Sequence, residues 1–72
     1  MMIRKATELR PTAPPMFGGE PMRVSLDRVE CAYLQERMAT GDAQTRESAG
    51  NWRLVEDIDG RVYEVQVFDF YA

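Results

Sequence analysis

The sequence predicts an α+β fold: one helix packed on a small antiparallel sheet, preceded by an extended proline-rich arm. Three observations carry this. Ser25 to Ala39 is a run of helix formers between a capping residue and a stop signal. Asn51 to Ala72 alternates apolar and polar residues around an Asp-Gly pair, as a β-hairpin does. All four prolines, Pro11, Pro14, Pro15 and Pro21, fall close together near the start.

Proline lacks the backbone donor that a helix or central strand needs, and the residue before it is held away from the helical region. Residues 1–21 therefore read as an arm, with a short strand or turn near Ile3 to Leu9, and residues 22–72 as the compact domain. Met16 and Phe17 form an apolar pair beside Gly18 and Gly19, a composition suited to a segment that orders against a partner. Arg4 and Arg10 add charged contacts to the same arm.

In the helix, the Ser25 hydroxyl can accept from a backbone N–H two or three residues on, and Asp27 suits the positive end of the helix dipole. Thr40-Gly41-Asp42 ends it, with Gly41 supplying the left-handed residue. Leu26, Val29 and Tyr33 line one stripe, and Cys31, Leu34 and Met38 a second. That surface is wider than one sheet face needs, so the arm is expected to fold back over the second stripe; the other use of the stripe is as an exposed patch for a partner. Asp42 to Gly50 holds no large apolar residue and reads as a solvated loop.

Two turns fit the hairpin. A four-residue turn at Asp57-Ile58-Asp59-Gly60 sets Trp52 opposite Val65 and Leu54 opposite Tyr63, whereas a tight Asp59-Gly60 turn sets Leu54 opposite Val65. Both put Trp52, Leu54, Tyr63, Val65 and Val67 on one face, which is the expected core face. A third strand can come from Met22-Arg23-Val24 or from the arm, since two strands alone are marginal. Phe68 and Phe70 fall on the polar face's parity and Tyr71 on the other, so either the arm or helix covers Phe68 and Phe70 as core, or the aromatic end is an anchor on an exposed strand edge.

Composition narrows the chemistry. The chain has 72 residues, no histidine and one cysteine. A domain this small buries only about 60% of its unfolded surface, which leaves little room for an enclosed cavity. Without histidine, Cys31 has no base to activate it, and at mid-helix it lacks the terminal field that lowers a thiol pKa. Glu56-Asp57-Ile58-Asp59-Gly60 resembles a calcium-loop fragment, but Val55 and Gln66 stand where that loop needs acids. No catalytic residue, cofactor or metal ligand is expected. Net charge is −3, and residues 1–24 hold four basic against two acidic side chains, so the leading part is basic and the rest acidic. With one lysine, Lys5, and acids in excess, direct nucleic-acid binding is not expected. No stretch reaches the roughly 18 apolar residues of a membrane span. The charged start Met1-Met2-Ile3-Arg4-Lys5 is not followed by a signal peptide's apolar run. A lone cysteine points to a reducing compartment, so a cytoplasmic location is expected.

These limits favour a small non-enzymatic regulatory protein that binds a larger protein complex. By class, it compares with small phage-encoded inhibitors of host machinery such as RNA polymerase or a defence complex. The expected partner-binding residues are Arg4, Arg10, Met16 and Phe17 on the arm, and Phe68, Phe70 and Tyr71 at the strand end. The free protein is expected to be a monomer. The alternative is a structural or assembly protein that closes a spare strand edge on itself as a homo-oligomer.

Overall fold

The computed structural model describes residues 2–11 and 21–68. One helix and a five-stranded antiparallel sheet form it, so the fold is α+β with the sheet dominant. In chain order the elements are β1 (Met2–Arg10), β2 (Met22–Ser25), α1 (Arg28–Thr40), β3 (Ala43–Ala49), β4 (Trp52–Asp57) and β5 (Val62–Phe68). Across the sheet the order is β2-β1-β5-β4-β3, and α1 packs on one face. Ile3, Ala6, Leu34, Ala43, Val55, Tyr63, Val65 and Val67 make the core between them.

The sheet is larger than the sequence predicted, because a segment expected as at most a short strand or turn of the arm and a segment expected as a loop are both full strands. Residues 2–10, assigned to the arm, form β1, which is paired with β2 on one side and β5 on the other. Both candidate sources of a third strand are therefore used, and the expected boundary at residue 22 falls inside the sheet. A bulge between Ile3 and Lys5 hides β1's alternation: Ile3, Ala6 and Glu8 all face the helix, although their spacing is three and then two. Glu8 also disguises a core-facing position as a polar one; its carboxylate accepts from Arg10 Nε at 3.1 Å. Thr12 to Glu20, with Met16 and Phe17, lie outside the described residues.

The second segment is Ala43–Ala49, expected as a loop and found as the edge strand β3. Only Ala43 is buried, so no apolar alternation marks it; backbone pairing to β4 holds it in place. Its polar side chains and its bulge between Thr45 and Glu47 suit an edge that must not recruit other strands.

In the helix, Asp27 takes the capping role expected of Ser25, which belongs to β2; Asp27 Oδ1 accepts from Glu30 N at 2.8 Å. Gly41 ends α1 at φ 89°, as its position predicts. The stripe that meets the sheet is Cys31, Leu34 and Met38, whereas Val29 and Tyr33 are exposed; the arm expected to cover that stripe does so in part, as β1 within the sheet, with Ile3 and Ala6 in the shared core.

The hairpin adopts neither predicted register. Glu56 pairs with Val62, and Asp57 N donates to Arg61 O at 2.8 Å, closing a three-residue loop in which Gly60 has φ 90°. This register lies one residue from each alternative, and a one-residue slip exchanges the faces of β4. Val55, opposite Tyr63, is fully buried, while Trp52 and Leu54 lie on the uncovered face with Glu64 and Gln66. The expected core face was thus right for Tyr63, Val65 and Val67 and wrong for Trp52 and Leu54.

Candidate functional site

Phe68 ends β5, which lies at the centre of the sheet with β1 and β4 on its two sides. Through Gln66 the strand is paired on both sides, and Phe68 is paired with Met2 of β1, so β5 as a whole is not the exposed edge strand expected from the sequence. Its surroundings offer a different use. Phe68 is 40% exposed, and the Arg4 guanidinium sits over its ring at 5.1 Å from the centroid. Arg4 and Phe68, two of the residues singled out from the sequence, are thereby brought together at the mouth of an open groove of about 570 Å³ between α1 and β1.

The groove exists because of the β1 bulge and the start of α1. The bulge lets Ile3 turn into the core while Arg4 and Lys5 both stay exposed. Ile3 N donates to Gln35 Oε1 at 3.0 Å, tying the strand to the helix across the groove. Leu26 N donates to Ala6 O at 2.9 Å and brings the helix start against β1. The lining then combines Ile3, Leu26 and Cys31 as apolar floor, Met2 and Phe68 as half-exposed rim, and Arg4, Lys5 and Arg28 as cations. One carboxylate, Asp27, faces them, and it caps the helix.

The ion pairs elsewhere show why this lining is unusual. Arg10, Arg23, Arg37, Arg46 and Arg61 each hold a carboxylate: Glu8, Glu64, Asp57, Glu56 and Asp59. Among the described residues Arg4, Lys5 and Arg28 hold none, in a chain with net charge −3. Lys5 instead lies over the Trp52 ring at 5.7 Å, reaching across Gln66, the register partner of both residues. Arg28 opens α1, where a cation opposes the helix dipole and costs about 0.3–1 kcal/mol. The groove is electropositive at some cost to the helix that forms it.

Cys31 is half-buried in this lining. Burial pushes its thiol pKa up and the charges of Asp27 and Glu30 push the same way, against a lowering by a backbone hydrogen bond from Ala6. A thiol held protonated is a poor nucleophile, and Cys31 serves as floor.

Arg10 lies at the far end of β1, in a second groove of about 290 Å³ beside α1. Its guanidinium is bound by Glu8, and the Arg37–Asp57 pair lines the same groove, so these charges are matched internally. Burial also raises the Tyr63 phenol pKa there, with the Glu8 and Asp57 charges adding and Arg61 opposing. The structure therefore separates Arg10 from Arg4. Phe70 and Tyr71, like Met16 and Phe17, lie outside the described residues. Sequence reasoning missed Lys5, Arg28, Met2 and Leu26 as neighbours of Arg4. The basic balance of the first 24 residues was a signal for Lys5 alone. No known protein family, curated protein or solved structure matches the chain.

Proposed function

We propose that this chain is a small non-enzymatic regulatory protein that acts by docking on a larger protein complex, and that the α1/β1 groove is the docking surface. One observation carries the reading: the three cations without a carboxylate partner among the described residues line one open groove with an apolar floor and an exposed aromatic rim. Exposed Phe68 and Met2 supply apolar area that is released from water on docking, and clustered aromatic and arginine side chains are what interface hot spots are made of. The action is occlusion or repositioning of the partner, in the manner of small phage-type inhibitors.

The test is affinity capture from the native host's lysate with the wild-type chain beside a Phe68→Ser, Arg4→Glu variant. A protein retained by the wild type and lost by the variant supports the reading. Equal retention by both refutes the groove as the docking surface.

A second reading, homo-oligomeric assembly, draws on the uncovered face of the sheet, where Trp52 is 38% exposed and Leu9, Leu54 and Val62 are half-buried. Light scattering over a concentration series decides it: a concentration-independent monomer excludes assembly.

A further inference from the structure

We infer that the α1/β1 groove takes an acidic segment of a partner protein bearing an apolar side chain. The carboxylates meet Arg4 and Arg28 and draw Lys5 across from Trp52, and the apolar side chain seats on Ile3, Leu26 and Cys31. The inference rests on the groove being the docking surface and adds what that surface recognises.

Three arguments from charge and shape converge. First, five arginines hold carboxylates within the fold, whereas Arg4, Lys5 and Arg28 border this groove with no carboxylate among the described residues, Arg4 resting on the Phe68 ring and Lys5 reaching away over Trp52. A partner that supplies carboxylates completes the pattern the rest of the molecule follows, and charge-assisted hydrogen bonds from guanidinium to carboxylate are strong and directional. Second, Arg28 stands at the first residue of α1, the worst place on a helix for a cation. An anion drawn in there meets both the side-chain charge and the positive end of the helix. Third, the floor is apolar. Ile3 is buried, and Leu26 and Cys31 are half-buried beneath the cations, so the groove rewards an aliphatic or aromatic side chain set between acids.

The floor also separates a peptide from a nucleic acid. Counterion release needs many phosphate contacts, three cations supply few, and the net charge of −3 repels a long polyanion. Both ligands offer negative charge, but only a peptide segment offers an aliphatic group for Leu26 and Cys31.

Lys5 makes the groove readable. Its ammonium lies over Trp52, the only tryptophan, so drawing it toward a carboxylate changes the environment of the one indole in the chain. The full chain is titrated with four probes, read by tryptophan fluorescence and by anisotropy of a labelled probe: an Asp-Glu-Leu-Asp-Glu peptide, its Asn-Gln-Leu-Asn-Gln analogue, its Asp-Glu-Ser-Asp-Glu analogue and a short single-stranded DNA. Three exposed ion pairs of modest strength make the acidic leucine peptide bind about tenfold tighter than the neutral one at low salt. Loss of the leucine weakens binding by a similar factor, and the DNA binds more weakly than the acidic leucine peptide.

Arg28→Glu is the discriminating variant, because it removes the preference for the acidic peptide while raising the urea midpoint of unfolding. Lost binding through misfolding predicts a lowered midpoint instead. Equal affinity for the acidic and neutral peptides, tighter binding of DNA, or no binding of any probe overturns the inference. Failure of the docking reading looks different: the partner captured from lysate is then retained equally by the wild type and by a Leu26→Asp variant. A partner lost from Leu26→Asp but kept by the Arg28→Glu variant leaves the groove as the docking surface and overturns its acidic specificity.

Discussion

Replacing Arg37 by Met tests how α1 is locked over the hairpin. The Asp57 side chain is 2% exposed, and its carboxylate accepts from the Arg37 guanidinium and, at 2.7 Å, from Ile58 N. Without Arg37 a buried carboxylate keeps only one neutral donor. Breaking a buried pair from one side costs about 3–5 kcal/mol. Arg37 itself keeps 21% exposure, so water reaches part of the vacated site and the expected cost falls to about 2–3 kcal/mol. For a chain of this length total stability is roughly 4–11 kcal/mol, so the loss is a large share of it. The control is Arg23→Met, which breaks the Arg23–Glu64 pair, where the side chains are 55% and 35% exposed; about 0–1 kcal/mol is expected there. Urea unfolding followed by Trp52 fluorescence reads both. With a slope near 1 kcal/mol per molar urea, the Arg37 variant loses about 2–3 M in midpoint and the Arg23 variant under about 1 M. Equal shifts for the two refute the argument. The double variant Arg37→Met, Asp57→Leu should recover most of the loss, since the uncompensated charge is then gone. If it falls as far as the single variant, the guanidinium stem was acting by packing alone.

Three further outcomes follow from the same geometry. Val55→Lys places an ammonium at a fully buried position and is expected to abolish cooperative unfolding, while Leu54→Lys faces Glu64 on the uncovered side and stays folded; the reverse result would restore one of the two registers read from the sequence. Gly41→Ala forces a β-carbon onto a residue at φ 89° and should lower stability by about 1 kcal/mol in thermal or urea unfolding, with no loss if the helix end simply shifts. Because burial raises the Cys31 pKa in the folded chain, its alkylation rate should reach half-maximum at a higher pH in the native protein than in urea. The same shift means that Cys31's contribution to stability is full below the unfolded thiol's pKa and is lost as pH rises through the folded one. An equal or lower native midpoint contradicts the buried placement.

Elements that announce themselves locally were legible. α1 was found within a few residues, because helix formers and a glycine stop act through neighbouring residues, and Gly60 marked the hairpin turn for the same reason. β1 was anticipated only as a short strand or turn within the arm, and β3 was missed, on opposite grounds. In β1 the bulge and the buried Glu8 break the alternation that a strand is read by, and the Glu8 carboxylate is paired with Arg10 two residues away on the same strand. In β3 there is no alternation to read, since an edge strand with one buried residue is held by the backbone bonds of β4. The candidate site was legible in its types and not in its assembly: Arg4 and Phe68 were chosen for charge and aromaticity, but 64 positions separate them in the chain.

By itself the sequence determined the α+β class, the helix and its stop, the place of the hairpin and the absence of histidine. Each of these depends on residue type or on neighbours within a few positions. Only the tertiary structure decided which side of β4 is buried. A three-residue turn rather than a two- or four-residue one moves every side chain of that strand to the other face, and the energies that separate such turns involve the whole sheet. The groove was decided at the same level. Arg4, Lys5 and Arg28 are ordinary surface cations until a bulge in β1 and the packing of α1 set them around one apolar floor. Whether a charge has a partner is a property of the folded neighbourhood, which residue type does not encode.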